Sequence, residues 1–159
     1  MTDSEQPITE CYCLAIRQAA RHVSQFYDRA LAPAGLRGTQ FAILSRLLRL
    51  GPMTINELAA ILVMDRTTLG RNILPLQREA LIAVQRGRTD RRSKELRITE
   101  KGADRVRAAA ALWREAQLRF ETVFGNEESA RLRGLMQHIA AADLSPREPD
   151  PKSEKTVAA

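Results

Sequence analysis

Residues 54–99 restrict the fold more than any other stretch: two short helical patterns separated by a tight turn, then two strand patterns joined by an arginine-rich tip. Thr54 can cap a helix while Glu57, three residues on, reaches back to it in the reciprocal capping arrangement. Leu58, Ala59, Ile61 and Leu62 then form an apolar stripe that stops near Val63 and Met64. Asp65 suits the N-cap and the positive end of the dipole of a second helix. In that helix Leu69, Ile73 and Leu76 fall at i, i+4 and i+7 and turn inward, leaving Thr67, Arg71 and Arg78 outward with Arg66, Thr68 and Asn72 on the flanks. The outward groups are hydroxyls and guanidinium forks, which suit phosphate oxygens and guanine edges. Taken alone, this segment also fits an ordinary surface helix.

The hairpin supplies context. Residues 81–84 make a short apolar strand, and residues 95–99 alternate polar with apolar through Leu96 and Ile98, as a half-buried partner should. The tip between them, residues 85–94, holds Arg86, Arg88, Arg91, Arg92 and Lys94 against one acid, Asp90. Twelve Arg or Lys stand against five Asp or Glu from Arg66 to Arg107, while the whole chain carries a formal charge of only +6. The positive charge is thus confined to one helix and one hairpin, the footprint of a nucleic-acid binder. The expected fold class is mainly α with a small β-hairpin wing, a winged helix-turn-helix flanked by N- and C-terminal dimerisation helices.

Residues 90–99, Asp-Arg-Arg-Ser-Lys-Glu-Leu-Arg-Ile-Thr, resemble the wing signature of the MarR family of bacterial transcription regulators, in which Asp-x-Arg precedes a Leu-x-Leu-Thr-like strand end. Residues 64–69 resemble that family's recognition-helix start and residues 36–41 its second-helix entrance, and the likeness extends over roughly residues 10–143. The resemblance implies a homodimer whose terminal helices interlock, with each recognition helix in a major groove and each wing in the adjacent minor groove of a pseudopalindromic operator. It implies that Arg92 enters the minor groove and that Asp90 holds the wing arginines in place. A narrow, negative minor groove attracts arginine, in keeping with that division. The DNA-contacting set expected from residues and resemblance together is Asp65, Arg66, Thr67, Thr68, Arg71, Asn72, Arg86, Arg88, Asp90, Arg91, Arg92 and Lys94.

Two residues depart from the pattern. Val63 occupies the turn where glycine often supplies a left-handed backbone, at a cost of about 1 kcal/mol or more for a branched residue. Pro75 lies inside the recognition helix, where it removes a donor and should bend the helix one turn after Arg71.

A chain of 159 residues suits one domain with a sizeable core. Expected boundaries are a flexible start at 1–9, a MarR-type domain at 10–143 and a disordered tail at 144–159. Within the domain the winged unit covers about 36–99, with dimerisation helices at about 10–32 and 100–143. The first carries Tyr12, Ile16, Ala19, Val23, Phe26 and Ala30 on one stripe; the second opens at Thr99 and carries Val106, Trp113 and Phe120 at heptad spacing. After Gly125 a last helix, about 127–142, carries Leu132, Leu135, Met136 and Ile139. This apolar surface exceeds the needs of a small winged domain, and the excess is assigned to a dimer interface. The tail holds three of the seven prolines. The polar start reads as no signal peptide, no apolar run is long enough to span a bilayer, and the cytoplasm is the expected compartment. No glycine-rich phosphate loop, His-Glu-x-x-His or nucleophile elbow is present, so an enzyme is not expected, nor a cofactor.

Cys11 and Cys13, two apart on a helix, point about 200° from one another and cannot pair without unwinding it. They are expected to be small buried hydrophobes of the first helix, and no metal site is expected. The resemblance offers a sharper alternative, since relatives that sense organic peroxides carry a reactive cysteine near the place of Cys13. Tyr27 matches a tyrosine that surrounds it there, but Phe41 stands where a second is expected. More often the family responds to small, frequently aromatic and anionic effectors in a crevice beside the dimerisation helices. Cys13, Arg17, Arg21 and His22 are the expected effector residues here, with ion pairing to a partner chain as the alternative role for the arginines. A sequence-neutral architectural nucleic-acid binder is the remaining alternative function.

Overall fold

The computed structural model describes residues 11–87 and 94–145. The expected flexible start, most of the expected tail, and the wing-tip residues 88–93 lie outside the described residues. In chain order the elements are α1 (Tyr12–Leu31), a 3-10 turn (Ala32–Ala34), α2 (Gly38–Leu50), β1 (Met53–Thr54), α3 (Ile55–Leu62), α4 (Arg66–Arg78), β2 (Ile82–Arg86), β3 (Lys94–Ile98), α5 (Glu100–Phe124) and α6 (Asn126–Ala141). This is a winged helix-turn-helix with long helices on either side. The chain divides into two units, Met1–Val123 and Phe124–Ala159.

In the first unit, the core draws one or more aliphatic residues from nearly every element. Leu31, Ile43, Leu44, Leu47, Leu58, Leu69, Leu76 and Leu81 are all fully buried. Three tight reversals set the angles at which these residues meet, and all three close in the same way. At Gly35, Val63 and Ala80 the backbone turns left-handed, with φ of 68°, 51° and 56°. In each, the N–H of the next residue reaches back five positions: Leu36 to the Leu31 carbonyl, Met64 to Ala59 and Leu81 to Leu76. This is the Schellman closure, normally built on glycine. The residue after each reversal is apolar and packs into the core or against it, so burial of Leu36, Met64 and Leu81 holds the strained residue in place. Only the first of the three sites uses glycine.

The sheet has three strands in the order β1-β3-β2, all antiparallel. Two boundaries differ from the sequence expectation. The ladder runs outward through Gln85 opposite Glu95 and Arg86 opposite Lys94, so three residues assigned to the polar tip, Gln85, Arg86 and Lys94, belong to the strands. Backbone pairing continues there while the side chains stay exposed, and hydropathy alternation cannot report it. The other difference is β1, whose Met53 and Thr54 pair with Leu96 and Glu95; two residues are too few to show a period of two. Leu81 precedes the strand as the anchor of the α4 closure. Thr99 follows β3 and starts α5: its hydroxyl accepts from the Gly102 N–H (3.0 Å) and donates to the Ala80 carbonyl (2.7 Å). Gly102 is buried against the Leu81 carbonyl, which the methyl of any larger residue would overlap.

Asp28 of α1 accepts a hydrogen bond from the Gly38 N–H (2.8 Å), so a residue ten positions upstream serves the start of α2. The Arg37 N–H donates to Gln40 Oε1 (2.9 Å) at the same end. Further along, Tyr27 donates to Gln117 of α5, and Phe41 of α2 stacks with Trp113 of α5 at 6.2 Å between centroids. The first half of α1 has no such contacts: residues 11–22 are all exposed. Cys11 and Cys13 are therefore exposed, not buried as expected, because α1 packs only from its fourth turn onward, at Val23. Cys11 also stands just before the helix, in extended backbone.

In the second unit α6 begins after Gly125 (φ 82°) and carries Glu127 and Glu128 in its first turn, where carboxylates favour the helix dipole. Leu132, Leu135 and Met136 are exposed on it.

Candidate nucleic-acid interface

The start of α3 has the expected reciprocal cap: Glu57 N–H donates to Thr54 Oγ1 (3.2 Å) and Thr54 N–H to Glu57 Oε2 (2.7 Å). The Thr54 amide, and after it the Thr54 hydroxyl, hold the Glu57 carboxyl below its usual range. After the left-handed Val63, α4 starts from Asp65, whose Oδ1 accepts from the Thr68 N–H (2.8 Å). Hydrogen bonds from Thr68, side chain first, keep the Asp65 carboxyl ionised to lower pH than usual.

Leu69, Ile73 and Leu76 are buried, as the periodicity requires. Arg66, Thr67, Thr68 and Arg71 are exposed. Asn72 is half-buried, and its amide donates to the Thr68 carbonyl (2.9 Å) within the helix. Pro75 lies inside α4, which continues through it to Arg78. Sequence reasoning passed over Leu74, an exposed apolar residue on the polar side of the same helix. A helical wheel drawn from the buried stripe would have found it.

On the hairpin, Arg86 and Lys94 are brought directly opposite each other on the outermost rung among the described residues. Two like charges across a ladder repel, an arrangement suited to sharing an anion. Arg88, Asp90, Arg91 and Arg92 lie outside the described residues.

A cavity of about 560 Å³ opens between α1, α2 and α5, lined by Tyr27, Phe41, Ser45, Arg46, Arg49 and Trp113 among others. Its walls are aromatic and aliphatic with two arginines, and the Ser45 hydroxyl has no hydrogen-bond partner. Cys13, Arg17, Arg21 and His22, expected around an effector, are exposed on the free half of α1 and do not line it. The α1 residues that do, such as Ser24, Tyr27 and Asp28, lie nearer its C-terminus. The cavity unites residues far apart in the chain, which no local pattern signals. Among the described residues no group of His, Cys, Asp and Glu is placed to hold a metal ion, and no helix is long and apolar enough to cross a membrane.

The family model for the MarR family matches residues 36–94, from the entrance of α2 to the start of β3. Among solved structures, the M. tuberculosis transcriptional regulator MosR in complex with DNA shares 37% identity. That match covers 82% of this chain and 94% of MosR, with a TM-score of 0.74. CouR, a transcriptional repressor bound to a 23-mer DNA duplex, shares 26% identity over 86% of this chain and 99% of its own, with a TM-score of 0.73. BpsR of Bordetella bronchiseptica, whose DNA binding is regulated by 6-hydroxynicotinic acid, has the same fold at 20% identity, covering 87% of this chain and 99% of its own, with a TM-score of 0.75. No curated protein sequence matches the chain.

Proposed function

The chain belongs to the MarR family, and from that premise we propose that it is a sequence-specific, double-stranded DNA-binding transcription regulator, a homodimeric repressor released by a small effector. The observation that carries the reading is the outward face of α4, whose exposed hydroxyls and guanidinium groups are held by a buried aliphatic stripe. The cationic outer rung of the adjoining hairpin supports it. MosR and CouR, both solved with DNA, support it by likeness. No catalytic role is proposed.

A single copy leaves Tyr12, Leu14 and Ile16 of α1 and Leu132, Leu135 and Met136 of α6 in water, Tyr12 at 84% exposure. A second copy would cover them, since homodimers bury the same patch on both partners. Two recognition helices then meet half-sites whose centres are roughly 10 bp apart on a pseudopalindrome. Arg86, Arg88, Arg91 and Lys94 add phosphate contacts, and Arg92 and Asp90 fill the wing roles given above. Affinity falls with salt at a slope of about −0.9 per phosphate neutralised.

Effector control is assigned to the cavity between α1, α2 and α5. An occupant there releases DNA only by binding more tightly to a state with different head spacing. Competition tests the main reading: excess selected operator should displace labelled operator at far lower concentration than excess random duplex. Equal displacement would convert the proposal into a sequence-neutral architectural binder.

The exposure of Cys11 and Cys13 in the single chain favours a second, redox-sensing reading, provided that the thiols stay accessible in the dimer. An organic peroxide would oxidise a thiol at the start of α1, itself reduced to the alcohol. Unchanged operator affinity after peroxide treatment rules this reading out.

A further inference from the structure

The outward face of α4 includes an apolar side chain that neither the core nor phosphate binding uses. At about 100° per residue, Thr67, Arg71, Leu74 and Arg78 share the arc opposite the buried stripe. Leu74 is 51% exposed at one edge of that arc, on the side toward Gly70. One turn earlier stands Gly70, whose backbone is not left-handed and whose missing Cβ would meet nothing within 4 Å. Neither strain nor packing among the described residues accounts for it, although glycine weakens a helix interior. Helical side chains lean toward the N-terminus, so Leu74 leans toward the Gly70 turn, yet no side chain comes within 4 Å of the place a Gly70 Cβ would take. The result is an apolar side chain beside an open notch, flanking the face that carries Thr67, Arg71 and Arg78.

The apolar group that a base pair offers in the major groove is the thymine C5-methyl. Along the axis Thr67 and Leu74 are about 10 Å apart, which fits within a groove about 12 Å wide. Arg78, about 16 Å from Thr67, falls beyond it toward the backbone. We propose that Gly70 and Leu74 together read a thymine methyl, adding one specificity position per half-site to those of Thr67, Thr68 and Arg71. The proposal rests on the DNA-binding reading above.

The test begins with duplexes selected from a random pool by the full-length protein. Each dT of the selected site is then replaced by dU, which removes only the methyl. One thymine per half-site should weaken binding about fourfold on replacement, the effect of burying one methyl-sized group. Leu74→Ala should bind the dT and dU sites equally, at the weaker level. Gly70→Ala should melt at higher temperature yet lose the same discrimination, a combination that a purely structural role for the pair would not produce. The proposal is overturned if no thymine methyl matters to the wild-type protein, or if the discrimination survives in both variants. A pool that yields no consensus overturns it as well, but by removing the DNA-reading proposal on which it stands.

Discussion

Replacing Val63 should stabilise the protein, although it removes an apolar side chain. Val63 holds φ 51° and ψ 49° at the turn between α3 and α4, a conformation that costs an L-residue roughly 1–2 kcal/mol, with a branched one toward the upper end. The side chain is 71% exposed, so truncation forfeits about a third of its transfer free energy, roughly 0.5 kcal/mol. Val63→Asn relieves most of the strain without the extra unfolded-state entropy of glycine and should gain about 1 kcal/mol. Val63→Gly gives back about 0.5–1 kcal/mol of that entropy and should gain about half as much. Val63→Ala, still left-handed with a Cβ, should gain little. For a chain of this size 1 kcal/mol corresponds to about 2–4 °C, readable by differential scanning calorimetry at fixed protein concentration, because a dimer melts concentration-dependently. Ala80→Gly tests the same geometry at the end of α4 and should also raise the midpoint. If the Asn and Gly variants of Val63 melt no higher than the Ala variant, backbone strain is not what this turn stores.

Gly102→Ala should destabilise by about 1–3 kcal/mol or more through overpacking, because a methyl there overlaps the Leu81 carbonyl and stands 2.8 Å from Ile98 Cγ1; chemical denaturation measures it. Asp65 has a folded-state pKa below its usual 3.8, so its cap contributes fully above that value and is lost as pH falls through the depressed one. The melting difference between wild type and Asp65→Ala should therefore be constant from neutral pH to about pH 5 and shrink below the carboxylate range. Arg71→Ala should relax base preference at one position by about 1–3 kcal/mol, read by competition with single-base operator variants; a uniform loss over all sequences would move Arg71 to the backbone. Arg92→Ala should weaken operator binding while leaving the circular-dichroism melt unchanged, and undiminished affinity would remove it from the wing.

What could be read from the chain was whatever local chemistry decides. The Thr54–Glu57 box, the Asp65 cap, the buried stripe of α4 and the Thr99 start of α5 each need partners only three or four residues away, and each is found. What escaped depends on distant partners. Asp28 is recognisable as a cap for Gly38 only once α1 has folded back. β1 is a strand only because Leu96 and Glu95 lie beside it. The cavity exists where residues from 23 to 113 converge. Ala80 shows no sign of a left-handed backbone, because the burial of Leu81, not its own side chain, imposes it. The cysteines were misjudged for the complementary reason: small apolar residues at the start of a first helix read as core, yet residues 11–22 are all exposed.

The remaining violations of local rules are concentrated where DNA is proposed to bind. Gly70 sits in a helix interior with room for a side chain, Leu74 is apolar in a polar arc, and Arg86 faces Lys94 with like charge. Each has a remedy within the chain: alanine at 70, a polar residue at 74, glutamate at 94. None of those remedies would disturb the core, since all three positions point away from it. Local choices that a fold could improve without rearrangement are expected at functional sites, where an absent partner completes the arrangement. A phosphate between Arg86 and Lys94 reverses the sign of their interaction, and a base edge against Gly70 and Leu74 removes apolar surface from water. The same duplex would resolve all three, which is why the helix and the hairpin are best understood as a single surface.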